Sequence, residues 1–143
     1  MPSWAQVELE VPELAARARR FFDAHVHKTL ATLRKDGSPR ISGVEVEFRD
    51  GELYTGSMWM GVKALDLRRD GRFALHSGSD EPDVFSGDAK VAGVFVEEPG
   101  EAGRSHVFRA DIAELVVIGF NEERTKLVIE SWHPGRGVTR RER

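Results

Sequence analysis

The sequence predicts a mainly β domain of α+β type, in which an N-terminal helix precedes a small antiparallel barrel crossed by a second, short helix. Three observations carry this. Apolar residues keep a helical spacing over 12–22 and again over 62–70, and polar and apolar residues alternate through most of the rest. Turn clusters such as Lys35-Asp36-Gly37-Ser38-Pro39 and Arg49-Asp50-Gly51 break that alternation into short segments. About seven closely spaced strands with one crossing helix favour closure into a barrel, because closure removes exposed strand edges.

Taken in order, Pro12 suits a first helical turn, and Leu14, Ala15, Ala18, Phe21 and Phe22 fall on one face opposite Arg17, Arg19 and Arg20. The segment 29–34 and the segment 40–48, in which Val44, Val46 and Phe48 alternate with Glu45 and Glu47, read as a hairpin. Arg49-Asp50-Gly51 then turns the chain into a third strand over 52–57, completing a meander. Val62, Ala64, Leu65 and Leu67 among charged neighbours fit a short helix that Gly71 ends. Strands resume at 72–76, 89–96, 106–118 and 127–132, with polar loops at 77–87 and 97–105.

With 143 residues and no internal repeat or linker, one domain over 1–143 is expected. The composition, 40% hydrophobic and 31% charged with a mean hydropathy of −0.40, is that of a globular chain. Cysteine is absent, which removes thiolate nucleophiles, iron–sulfur ligation and zinc–thiolate sites. The first residues lack the basic and apolar stretches of a signal peptide, so a cytoplasmic location is expected. No apolar run approaches the roughly 18–20 residues that cross a bilayer. A net charge of −3 gives no reason to expect nucleic acid as a partner.

Lys63 stands at the start of a predicted helix, where the dipole disfavours a cation and several backbone N–H groups lack partners. A bound phosphate resolves both problems, and Thr55 and Ser57, at the end of the preceding strand, add neutral donors. The competing reading pairs Lys63 with Asp66 at helical spacing on a solvated surface. Ser42 and Gly43 interrupt the apolar alternation, as at a bulge, a barrel bend or a close approach by a ligand. In Trp132-His133-Pro134-Gly135-Arg136-Gly137, glycines flank Arg136 and Trp132 offers a flat face. These residues read either as a cap over a ligand or as a turn followed by a frayed basic tail beyond Val138.

Leu30-Ala31-Thr32-Leu33, Asp36-Gly37-Ser38-Pro39, Tyr54-Thr55-Gly56-Ser57, Lys63-Ala64-Leu65-Asp66-Leu67-Arg68-Arg69-Asp70 and Arg72-Phe73-Ala74-Leu75 occur in that order. Over about residues 12–132 this pattern resembles the pyridoxamine 5′-phosphate oxidase-like family of FMN-binding split barrels. The resemblance implies a homodimer with two cofactor sites at the subunit interface, each holding FMN or, as the alternative, the deazaflavin coenzyme F-420. It implies hydride transfer between that cofactor and a small-molecule substrate, or, without turnover, a flavin-binding or sequestering protein. By resemblance Arg40 occupies the position of a basic residue that reaches the cofactor, against a plain reading as a solvent-facing strand residue. Trp132 and Arg136 belong to a C-terminal segment that helps close the site, often from the partner subunit. The cofactor-binding set is thus Arg40, Ser42, Thr55, Ser57, Lys63, Trp132 and Arg136, with no catalytic acid or base assigned.

Two departures narrow the implication. The segment 97–105 is short and acidic where relatives that oxidise pyridoxamine phosphate carry a longer one, so vitamin-B6 oxidation is not assigned. Asp88 and Lys90 stand where several relatives use Gln or Ser against the ring. The five histidines, His25, His27, His76, His106 and His133, are scattered and read as surface or packing residues rather than metal ligands, with His76 the one placed near a substrate pocket. Trp59, between Met58 and Met60, reads equally as a cofactor flank, a core residue or a dimer contact.

Overall fold

A computed structural model describes residues 2–81, 85–100 and 103–143. Parts of the two predicted loops, at 82–84 and 101–102, lie outside the described residues.

Where spacing predicts one N-terminal helix there are two, α1 (Trp4–Glu10) and α2 (Pro12–Ala24). The first is too short to show a helical period, but Ser3 and Gln6 close a capping box around its start, and Trp4 and Val7 point inward. The second buries Leu14, Ala15, Ala18 and Phe22, the face its spacing marks out. Burying a side chain such as Phe22 or Leu14 contributes about 1.5–3 kcal/mol.

The strands are β1 (Lys28–Leu33), β2 (Pro39–Val44), β3 (Val46–Arg49), β4 (Glu52–Met58), β5 (Arg72–His76), β6 (Asp88–Glu98), β7 (Ser105–Phe120), β8 (Leu127–His133) and β9 (Gly137–Glu142), with α3 (Val62–Arg69) between β4 and β5. All pairings are antiparallel, in the order β2-β1-β5-β6-β7-β4-β3, with β8 and β9 continuing from the far half of β7. The sheet's two end strands, β2 and β3, are consecutive in sequence and separated by Glu45 alone, so the sheet must curl until its ends meet there.

This corrects the meander: 40–48 is not one strand. Its first part pairs with β1 and its second with β4, and the Glu45 carbonyl at the break accepts a hydrogen bond from Thr55 Oγ1 at 2.9 Å. Curvature is also built in at Gly93, where β6 shifts register against β7; a Cβ there would lie 2.0 Å from the Asp111 carbonyl oxygen.

A second correction concerns the C-terminus. The frayed tail expected beyond Val138 is β9, paired with β8 from His133↔Gly137 to Val128↔Glu142, and Arg143 exchanges both backbone hydrogen bonds with Leu127. Pro134-Gly135-Arg136 is the turn of this hairpin, with Gly135 and Gly137 at positive φ. Removing residues 139–143 is therefore expected to cost about 1–2 kcal/mol, as edge hydrogen bonds return to water. A urea transition identical to that of the full chain would contradict this role for the strand.

The buried apolar side chains form one continuous cluster between the barrel strands and the two N-terminal helices, including Phe22, Leu30, Leu53, Phe108, Leu115 and Trp132. Among the described residues no helix is long and apolar enough to cross a membrane.

Candidate functional site

Helix α3 packs against β1, β4 and β6, and its residues line two open hollows. Gly61 is its N-cap and no side chain caps its first turn, so the amides there are left for solvent or a ligand. Beside that end an open cleft of about 410 Å³ is lined by Lys63, Ser57, Gly43, Val44, Glu45, His27, Met58 and Ser105 among its walls. Lys63 Nζ donates to the Gly43 carbonyl at 3.2 Å, a neutral partner, and among the described residues no carboxylate pairs with it. Ser57 is 8% exposed, and its hydroxyl donates to the Met58 carbonyl at 3.2 Å. A Cβ added at Gly43 would meet nothing within 4 Å, so the missing side chain leaves the strand backbone open to this space.

The competing reading of Lys63, a surface pair with Asp66, does not hold. Asp66 is 1% exposed and faces the other way. Its Oδ2 accepts from Thr32 Oγ1 at 2.8 Å and Arg40 Nε at 2.7 Å, while Oδ1 takes Arg69 NH2 at 3.3 Å. Burial pushes this carboxyl up, but the hydrogen bonds from Arg40 and Thr32 and the charges of Arg40 and Arg69 outweigh it and hold Asp66 below its usual range.

The predicted site residues thus separate into several places. Lys63 and Ser57 share the cleft at the start of α3. Arg40 lies in the other hollow, of about 370 Å³, whose walls carry Arg34, Lys35 and Arg69 as well as Asp66. Neither reading of Arg40 describes it fully, since its guanidinium is a quarter exposed and bound to a buried carboxylate. Ser42 is half-buried on β2, two residues along on the same face as Arg40. Thr55 is buried with its one donor committed to Glu45, closing the barrel seam. Its hydroxyl proton is not free for a phosphate.

Trp132 is a correction. Its side chain is wholly buried in the core, and its indole N–H donates to Glu10 of α1 at 3.1 Å, so it presents no face to a ligand. Arg136 is exposed in the β8–β9 turn. Trp132 pairs with Leu115, ten residues along β7 from Ser105 at the cleft, a separation of about 30 Å along a strand. Within one chain, the C-terminal hairpin and the Lys63 cleft do not meet.

Sequence reasoning missed three groups near the site. Besides Asp66, Lys28 is 7% exposed, and its ammonium donates to the His25 and Val26 carbonyls just past the end of α2; burial lowers its pKa, opposed by Asp23 and Glu45. His106 is buried beside the cleft and bonded to Glu97 and to the backbone of residue 60. Three other histidines are part-exposed and meet a carboxylate, His133 with Glu114 at 2.7 Å, His76 with Asp88 at 3.1 Å and His25 with Asp80 at 3.5 Å, while His27 lines the cleft. Among the described residues, no group of three or more potential ligands is placed to hold a metal ion.

No family model and no curated protein sequence matches this chain. Solved structures do. A pyridoxamine 5′-phosphate oxidase-related, FMN-binding protein from Nostoc punctiforme superposes with a TM-score of 0.61 at 10% identity, over 93% of this chain and 94% of that one. This chain has the split-barrel fold of pyridoxamine 5′-phosphate oxidase-like proteins. A heme-binding protein from Mycobacterium smegmatis shares the split barrel with a TM-score of 0.64 at 19% identity, over 93% of this chain and 59% of that one. An F420 reductase matches at 0.51 and 14% identity, over 63% of this chain and 88% of that one. At such identities the likeness establishes the split barrel, while the ligands in these names belong to those proteins.

Proposed function

We propose that the chain binds a phosphate-bearing flavin-type cofactor in the Lys63 cleft, FMN first and the deazaflavin F-420 as the alternative, and serves as an oxidoreductase for a small molecule. The observation that carries this is a lysine in the first turn of an uncapped helix, lining an open cleft and without a carboxylate partner among the described residues. The residues fit an anionic group. Lys63 and the first-turn amides of α3 would hold the phosphate, Ser57 would add its hydroxyl on releasing its longer, 3.2 Å bond to the Met58 carbonyl, and the bare backbone at Gly43 would admit a flat ring. Glu45 on the cleft wall disfavours a second negative charge on its side. When bound, such a cofactor supplies the hydride chemistry; the protein's part is to bind and orient it and to shape the substrate space.

The same reading calls for a homodimer. The cleft is open, Met58 on its wall is 77% exposed, and Met60 before α3 and Val62 at its start are 49% and 54% exposed, apolar surface that a second copy would cover. Arg136, in a turn level with the middle of β7 and outside the cleft walls, would reach the cleft of a second copy.

Lys63→Ala is expected to weaken binding by about 1.5–3 kcal/mol, roughly tenfold to a hundredfold, with little change in stability. Mass spectrometry of any small molecule released on denaturation identifies the cofactor directly. Calorimetric titration with FMN and with F-420, showing the same affinity for wild type and variant, would sink the phosphate assignment. Reduction of the bound cofactor followed by reoxidation with candidate acceptors separates an enzyme from a carrier.

A further inference from the structure

His106 sits on β7 opposite Ser57 of β4, with its side chain fully buried. Its Nε2 lies 3.0 Å from the backbone nitrogen of Met60, and its Nδ1 lies 2.7 Å from Glu97 Oε1. A backbone N–H can only donate, so Nε2 must offer a lone pair and the ring's proton must reside on Nδ1, donated to Glu97. Glu97 is itself fixed, its other oxygen taking Arg68 Nε at 2.8 Å. The hydrogen bond from His106 lowers the Glu97 pKa; burial opposes this, and Arg68 adds to it. One tautomer is therefore selected by the Met60 N–H and by a carboxylate on β6 that an arginine on α3 holds in place.

What His106 holds is the segment 58–61 that leads into α3. Met60 has φ +60, a left-handed conformation that a side-chain-bearing residue adopts at a cost and keeps only when its surroundings fix it. The Trp59 ring stacks on the imidazole with centroids 4.5 Å apart and planes 4° from parallel. The next residue, Gly61, is the N-cap of α3; a Cβ there would lie 2.9 Å from Ser57 Oγ. Backbone, ring and cap are thus tied to one buried side chain.

We infer that His106, as the Nδ1–H tautomer, is the positioning residue of the Lys63 site: it fixes residues 58–61, and with them the place where α3 begins and the direction of its free amides. Its link to ligand binding rests on the cofactor reading above; the fixing of the loop does not.

The test compares wild type with His106→Phe, which keeps a ring beneath Trp59 but removes both hydrogen bonds, and His106→Gln, whose amide can both accept from Met60 and donate to Glu97. In the ligand-free chain, amide exchange at Met60 and Gly61 should quicken at least about tenfold in His106→Phe relative to β1 amides, with substantial recovery in His106→Gln. FMN affinity should fall by about tenfold in His106→Phe and recover in the same order. Should His106→Phe fail to fold, Glu97→Ala, at a part-exposed position, is expected to quicken the same two amides. Unchanged exchange at residues 60–61 overturns the inference, as does faster exchange with FMN affinity untouched. A wild-type chain that binds none of FMN, F-420 and inorganic phosphate overturns the cofactor reading and the link to binding, and the exchange data tell that failure apart from failure of the loop anchor.

Discussion

Trp132→Ala is expected to cost about 3–5 kcal/mol of folding stability, the range for emptying a large aromatic site in a packed core. The side chain is fully buried, joins the core cluster and is pinned to α1 through Glu10. A chain cut after residue 131 would lose this residue and β9 together, and should not fold. Urea denaturation followed by far-ultraviolet circular dichroism measures the loss. Trp132→Phe keeps most of the ring volume, so it should fold with a smaller penalty and leave the proposed flavin affinity unchanged. If Trp132→Phe proved as stable as wild type yet lost the ligand, a capping role would be restored.

The misreading of Trp132 shows where sequence legibility ends. The period-2 pattern placed it correctly at the end of a strand, but a pattern says which face a side chain takes, not what covers that face. Here the indole is tied through Glu10 to α1, seven residues long and too short to announce itself by periodicity. The longer elements were legible because spacing and turn chemistry agreed: α2 by its buried face, β1 and β2 by the Asp36-Gly37 turn between them, with Gly37 at φ +87. His106 left a usable signal, since Phe108, Ala110 and Ile112 continue its alternation and all are buried. Asp66 left none. A charge among Leu65, Leu67 and Arg68 reads as solvated, and only its meeting with Arg40, 26 residues earlier on β2, turns the helix so that it faces inward.

That meeting sets the last expectation. Asp66→Ala removes the shared acceptor of Thr32, Arg40 and Arg69, leaving a buried hydroxyl without a partner and two guanidinium groups close together. Breaking a buried ion pair from one side costs about 3–5 kcal/mol, and the lower end applies here because Arg40 and Arg69 still reach water. The α3 region should loosen first, weakening ligand binding at the proposed Lys63 site although Asp66 does not line that cleft. The pH dependence has a definite sign. With the folded-state pKa below the ordinary carboxylate value, the stabilisation is fully present above about pH 4 and is lost as pH falls through the folded value. Asp36, Asp70 and Glu97 are also shifted down, so the wild-type acid transition mixes several groups. The difference between wild type and Asp66→Asn isolates one of them: it should be largest at neutral pH and shrink on acidification below about pH 4. A difference in urea-unfolding free energy that stays constant from neutral pH down to pH 2 would mean that Asp66 is not the charged anchor of α3.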